Sequence, residues 1–187
     1  MQEDLRKAKE VLQKGGIILY PTDTIWGIGC DATLPKAVER IYKLKQRSDT
    51  KSMLVLVDEP WRIDRYVTEM PDIARQLVEV ADQPLTVIYP GARNLAPNLV
   101  GEDLSIGIRV TSDLFCKELI KALGRPIVST SANISGKPSP ENFDAISEEL
   151  KKEVDYTVQW RQDDVSHAKP SSIIRVGLKG EIEILRK

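Results

Sequence analysis

Between Gly15 and Ala32 an apolar run breaks at a proline, passes through a knot of hydroxyl and carboxyl groups, and resumes as a second apolar run. Ile17 to Tyr20 follow a glycine pair and stop at Pro21, which has no N–H to give a sheet ladder, so the pattern predicts a strand ending there. Thr22, Asp23 and Thr24 then crowd a tight turn before Trp26 to Cys30 reads as a second short extended run. A strand entering a polar elbow is a shape that can hold a ligand. It is equally an Asx- or Ser/Thr-type turn satisfying its own backbone, and the turn alone leaves both readings open.

The surrounding pattern predicts a mixed α/β arrangement. Leu5, Ala8, Val11 and Leu12 fall on one face of a helix over Asp4 to Lys14, closed by Gly15 and Gly16. A second helix starts at Pro35, with Ala37, Val38, Ile41, Tyr42 and Leu44 inward and Lys36, Arg40, Lys43 and Lys45 mostly on the opposite side. Strands are expected at Met53 to Val57, Leu85 to Tyr89, Ser105 to Val110 and Ile127 to Ser129, with Asp155 to Trp160 and a hairpin over Lys169 to Leu185 near the end. Pro60 to Ala81 reads as helical, broken at Pro71, with Trp61, Ile63, Ile73, Ala74, Leu77, Val78 and Ala81 inward. Ser112 is placed to cap a helix from Asp113 to Leu123, and Ser139-Pro140 to start one carrying Phe143, Ile146, Leu150 and Val154. Strands and helices alternate irregularly, which favours a mixed sheet packed by helices over a regular βαβ series.

Composition narrows the function. The 187 residues, 41% apolar and 29% charged, suit one domain with one core, and no apolar run approaches a membrane span. The charged start Gln2 to Lys7 does not read as a secretory leader, so a cytoplasmic protein is expected. Cys30 and Cys116 stand far apart, as reduced thiols do. A net charge of -1 argues against a generic nucleic-acid coat, so any polyanion site must be local. His167 is the only histidine, which removes paired-His metal sites and leaves no spare imidazole for acid–base work. No phosphate loop, dinucleotide fingerprint or Gly-x-Ser-x-Gly elbow occurs.

Three further features carry chemistry. Lys45-Gln46-Arg47 follows the second helix, and in an extended segment its two cations would point to one side, as a phosphate chain requires. Arg109 lies within a strand, where a buried guanidinium needs an anion, either a structural carboxylate or a ligand's. Ser129-Thr130-Ser131-Ala132-Asn133-Ile134-Ser135-Gly136 continues a buried strand and is dense in hydroxyl, amide and backbone N–H groups, where α/β sheets commonly bind ligands.

Taken with Pro21-Thr22-Asp23-Thr24, these motifs fall in one order, and the chain from about Leu12 to Arg175 resembles the YrdC/TsaC family, the threonylcarbamoyl-AMP synthases. The resemblance implies an α/β fold: a twisted, mixed parallel and antiparallel open sheet flanked by helices, with a large positively lined cleft. It implies a nucleotidyltransferase, L-threonylcarbamoyladenylate synthase, that condenses L-threonine, bicarbonate or CO2, and ATP with release of pyrophosphate. Its product serves N6-threonylcarbamoyladenosine modification of tRNA. By the same resemblance Lys45, Arg47, Ser131 and Asn133 meet ATP, with Ser129, Ser172 and Arg175 completing the pockets. Thr22, Thr24 and Arg109 take threonine. Mg2+ is implied as a cofactor held mainly through ATP phosphates, and tRNA and TsaD/TsaB/TsaE-type transfer proteins as partners.

The chain departs from the family pattern at Ser48 and Lys51-Ser52, where prolines are usual, at Trp26-Gly27-Ile28 in place of Tyr-Gly-Leu, and at Pro84-Leu85-Thr86, the remnant of a Pro-Gly-Pro-x-Thr segment. It resembles the short form, without an added C-terminal domain. Two other readings compete: a structured-RNA module using Lys36, Arg40, Lys43, Lys45, Arg47 and Lys51 along one edge, and a carbamoyl-transfer domain.

Overall fold

The central described strands alternate between two unlike faces, and that alternation makes the cavity described below. The computed structural model describes residues 1–46, 53–165 and 169–187. Arg47 to Ser52, and with them one half of the Lys-x-Arg expectation, lie outside the described residues, as does His167.

The described strands are β1 (Ile18–Tyr20), β2 (Gly27–Gly29), β3 (Leu54–Val57), β4 (Leu85–Tyr89), β5 (Ile106–Val110), β6 (Ile127–Ser131), β7 (Tyr156–Thr157), β8 (Ser172–Val176) and β9 (Ile182–Arg186). They form one sheet in the order β7-β1-β2-β6-β3-β5-β4-β8-β9. The β1/β7, β3/β5 and β4/β8 pairs are parallel and the remaining neighbours antiparallel, so the sheet is mixed as expected.

Successive side chains on a strand point to opposite faces. One face carries Leu19, Ile28, Val55, Val57, Val87, Tyr89, Ile106, Ile108, Val128, Ile174 and Val176 into a single core. The inward sides of α2 (Pro35–Leu44) and α3 (Asp72–Val80) close it, Ala37, Val38, Ile41 and Ala74 being fully enclosed. The other face carries Ile18, Tyr20, Leu56 and Ile127, covered by α1 (Gln2–Gln13) and α4 (Leu114–Leu123) through Leu5, Ala8, Leu12, Phe115, Leu119 and Ile120. That cover stops partway across the sheet. Beyond it the same face presents Leu54, Gly107, Arg109, Thr86, Ile88 and Ile173 to an open cavity.

Several local expectations change. Pro60–Arg65 is a 3-10 turn, and Trp61 is exposed, with the guanidinium groups of Arg62 and Arg65 each 5.2 Å from its ring centre. Ala81 is exposed as well. Asp113 caps α4 in place of Ser112, its Oδ1 accepting the Cys116 N–H at 2.8 Å, and Gly124 ends the helix at φ 74°. The helix expected from Ser139 begins only at α5 (Glu148–Glu153), capped by Ser147. Both cysteines are free and buried, and burial first of all pushes their thiols above the usual range. Among the described residues no helix is long and apolar enough to cross a membrane.

The short edge strand β7 is pinned by two carboxylates. Asp155 Oδ2 accepts the Ile17 N–H at 2.7 Å and pairs with Arg40 at 2.9 Å, while Asp4 Oδ1 accepts from the Tyr156 hydroxyl at 2.7 Å and the Gln159 N–H at 2.8 Å. Burial works to raise both groups, but these donors outweigh it and hold each below the ordinary Asp value of 3.8. A carboxylate depressed in the folded state stabilises above its unfolded value and loses that contribution as pH falls through the folded one. The melting temperature is therefore expected to hold down to about pH 4 and to fall below it. Asp155→Asn should lower it at neutral pH and flatten this acid limb; an unchanged limb would show that other groups drive acid unfolding.

Candidate active site

The uncovered half of the sheet forms the floor of a cavity of about 250 Å3. Its walls come from the elbow after β1 (Thr24, Ile25, Trp26), the end of β6 (Ser129, Thr130, Ser131), Ser139, and Pro170-Ser171 before β8. Arg109 and Arg186 are the charged side chains lining it among the described residues.

Arg109 is the buried charge of the floor. Its side chain is 3% exposed, and Nη2 lies 3.0 Å from Asp23 Oδ1, whose side chain is 6% exposed. This contact is close enough for an ion pair but is not aligned as a hydrogen bond, and Arg109 Nε also lacks a hydrogen-bond partner. Asp23 is itself held by the Ser112 N–H at 3.1 Å. Both alternatives raised by the sequence thus bear on one side chain: a structural carboxylate holds the guanidinium, and unsatisfied donors remain at a cavity wall. Buried donors without partners are rare enough to point to a bound acceptor.

The elbow is rigid for its own reasons. Thr22 Oγ1 donates to the Ile25 carbonyl at 2.8 Å and lies 3.0 Å from Thr24 Oγ1, while Arg161 Nη1 braces the Thr22 carbonyl at 3.3 Å and Asp113 at 2.7 Å. Thr22 is therefore turned into the turn itself, whereas Thr24 lines the cavity.

Lys45 is 1% exposed and does not face solvent with its helix. It stands at the C-terminus of α2, and Gln46 follows at φ 51°, so the Lys-x-Arg begins in a helix-ending turn and not in an extended segment. Lys45 Nζ donates to the carbonyls of Ser131 (2.5 Å) and Asn133 (2.6 Å), and reaches Asn133 Oδ1 at 3.4 Å. The Asn133 amide in turn donates to Ile134 and Lys137 carbonyls. Lys45 thereby ties the end of β6, where Ser129 and Ser131 line the cavity, to the loop at Asn133 that follows it.

Ser172 and Arg175 are not brought to the cavity. Ser172 sits on the opposite face of β8, because its neighbour Ile173 takes the inward position. Arg175 pairs with Asp103 at 2.7 Å outside it; the Ser105 hydroxyl first, then this exposed contact, lower the Asp103 carboxyl to about 2. In their place stand Ser171 and Arg186, which the sequence reading missed. Arg186 Nε donates to the Ser171 carbonyl at 2.8 Å. Partial desolvation, then the charge of Arg109, depress the Arg186 guanidinium, so an anion between the two relieves both.

Of the basic edge considered for RNA, Arg47 and Lys51 lie outside the described residues, and three of the other four cations have partners or are enclosed. Lys45 is buried, Arg40 pairs with Asp155, and Lys43 pairs with Glu39 at 2.5 Å.

Two cationic side chains, a hydroxyl-rich rim and the uncovered part of a mixed sheet thus bound a single cavity. The family model for Sua5, YciO and YrdC proteins, described as "Telomere recombination", matches residues 10–187, and the chain belongs to that family. It is 32% identical over 182 residues to the threonylcarbamoyl-AMP synthase of Stenotrophomonas maltophilia, covering 95% of this chain and 96% of that one. It is 34% identical over 171 residues to the threonylcarbamoyl-AMP synthase of Hahella chejuensis, covering 90% and 91%. Among solved structures, E. coli YciO superposes with a TM-score of 0.86 at 26% identity, over 100% of this chain and 90% of that one. The fold also matches P. abyssi Sua5 complexed with L-threonine, at TM-score 0.82 and 24% identity over 92% of this chain, which spans 50% of that longer one.

Proposed function

We propose that this protein is an L-threonylcarbamoyladenylate synthase, a nucleotidyltransferase that joins L-threonine, bicarbonate or CO2, and ATP. The observation that carries the reading is the pair of arginines facing one cavity whose lining holds no acidic side chain, the buried one keeping unsatisfied donors beside its Asp23 partner. The named relatives, matched over almost their whole length, supply the activity to be tested.

The chemistry asks for positioning and charge neutralisation, not for a protein nucleophile. The threonine nitrogen bonds to the carbon of CO2 and sheds a proton to solvent; a carbamate oxygen then attacks the α-phosphorus of ATP as the bond to the β-phosphate bridging oxygen breaks. Arg109 holds the threonine carboxylate, which fixes the amine toward the centre of the cavity. Arg186 takes phosphate charge, a role that the family resemblance also gives to Arg47. Ser129 and Ser131 offer hydroxyl donors to phosphate oxygens from the end of β6, which Lys45 ties to the following loop.

Among the described residues no group of three or more His, Cys, Asp or Glu converges as a metal site. The hydroxyl-lined wall suits Mg2+ that arrives on the phosphates and keeps water ligands, and it would neutralise part of their charge. The product would pass to separate TsaD/TsaB/TsaE-type proteins acting on tRNA.

The test is to supply ATP, L-threonine and 13C-bicarbonate and to analyse the products by mass spectrometry. A 13C-labelled threonylcarbamoyl-AMP accompanied by pyrophosphate is expected. AMP or ADP without the labelled adduct would overturn the reading.

A further inference from the structure

The loop after β7 contains a residue that is unusual in both backbone and side chain. Arg161 stands at φ 65°, in the left-handed region. A bulky side chain persists there only where its surroundings hold it, and such positions gather where local geometry matters to function. None of the site roles given above uses this residue.

The guanidinium explains the backbone. Nε and Nη2 both donate to Asp164 Oδ2, at 3.2 and 2.8 Å, which fixes the group to its own loop. The remaining nitrogen, Nη1, donates to Asp113 Oδ2 at 2.7 Å and to the Thr22 carbonyl at 3.3 Å. A planar fork meets these three acceptors in one arrangement, as a single ammonium cannot.

Two of the acceptors belong to the segments that frame the threonine side of the cavity. Thr22 Oγ1 accepts the Thr24 N–H at 3.0 Å, so the carbonyl held by Arg161 and the Thr24 side chain on the cavity wall share one hydrogen-bonded turn. Asp113 caps α4 through its other oxygen. The residue before it, Ser112, gives its N–H to Asp23 at 3.1 Å, and Asp23 pairs with Arg109 at 3.0 Å. The elbow is therefore tied to the start of α4 twice, once through Asp23 and once through Arg161. One tie leaves a pivot, and the second removes it. The residues proposed for phosphate stand on other elements, Ser129 and Ser131 on β6 and Arg186 on β9.

Resting on the synthase reading, we infer that Arg161 is a positioning residue for the amino-acid substrate: by locking the elbow against α4 it keeps Thr24 and the Asp23–Arg109 pair in register. It does this from outside the cavity lining, so its loss acts on threonine through those groups and spares the phosphate side.

The experiment varies L-threonine and ATP in turn and follows pyrophosphate release. Arg161→Gly removes the side chain and keeps the left-handed turn at no steric cost, so the loop backbone is not what is tested. The KM for L-threonine should rise about tenfold while the KM for ATP stays within about twofold of wild type. A residue that only stabilised the fold would instead lower kcat, through the active fraction, with neither KM moved. Arg161→Lys keeps the charge, reaches fewer acceptors, and should return part of the threonine KM. Unchanged KM values in Arg161→Gly, or two KM values that rise together, would overturn the inference while leaving the synthase reading intact. No threonine-dependent pyrophosphate from the wild type would remove the synthase reading, and this inference with it. Should Arg161→Gly fail to fold, Asp113→Asn decides in its place, since it keeps an oxygen for the α4 cap and weakens the contact with Arg161: a rise confined to the threonine KM supports the assignment and an unchanged one overturns it.

Discussion

Arg109→Ala should lower kcat/KM for L-threonine by about 10²–10³-fold, the range expected when one partner of a buried charge pair is truncated. The same substitution leaves Asp23, 6% exposed, without its counter-charge, which should cost about 3–5 kcal/mol of stability. The two effects are separable. Adding Asp23→Asn to Arg109→Ala removes the stranded charge, so the double variant should regain much of the lost melting temperature and none of the lost activity. Arg109→Lys keeps the charge without the planar fork and should fall between. If the double variant recovered threonine turnover, the guanidinium would be a structural group and the carboxylate anchor would have to be sought elsewhere.

The second large effect is expected at Lys45. Its ammonium group is enclosed and donates to two backbone carbonyls that shape the loop after β6. Hydrogen bonds from a charged donor contribute about 1.5–3 kcal/mol each. Lys45→Ala should therefore lower the melting temperature by roughly 10 °C, from the sensitivity of chains of this size. It should also bring threonine-dependent pyrophosphate release below detection, because Ser129 and Ser131 lose the anchor that sets their position. A variant with wild-type melting and wild-type rate would contradict both statements.

Much of the fold was legible because its signals are local. Ile17 to Tyr20 is stopped by a proline, α2 starts at a proline on a clean apolar face, and β4, β5 and β8 are apolar runs bounded by turn residues. The failures have physical causes. Phe143, Ile146 and Leu150 recur at helical spacing and do reach the core, yet an irregular segment delivers the first two. Phe143 is held by Trp26, their rings 4.8 Å apart, and the Asn142 side chain accepts from Ala145 N–H. Burial by that route needs no helix, and the apolar period cannot tell the two apart.

The site was legible in its motifs and not in its parity. Ser171 and Ser172 are adjacent and chemically identical, and only the β4/β8 register decides which one faces the cavity. Arg186 stands beside Lys187 and two glutamates, where a charged edge strand ordinarily meets water; the bulge between Ile173 and Ile174 aligns it with Arg109 and Thr86. Lys45 reads in the sequence as one of two phosphate-facing cations of an extended Lys-x-Arg, with its helix-end position as the structural alternative. Its burial follows from the turn at Gln46, which brings the Asn133 loop over the helix end, as the Ser135 N–H to Lys45 carbonyl bond at 2.9 Å shows.

The most direct test of the central claim is pyrophosphate release from ATP and bicarbonate with each amino acid supplied in turn. The synthase reading, with Arg109 as the carboxylate anchor, predicts release confined to L-threonine, with L-serine a weak second. Equal release with every amino acid, or none with any while ATP still binds, would contradict the account and leave the cavity a nucleotide site of another purpose.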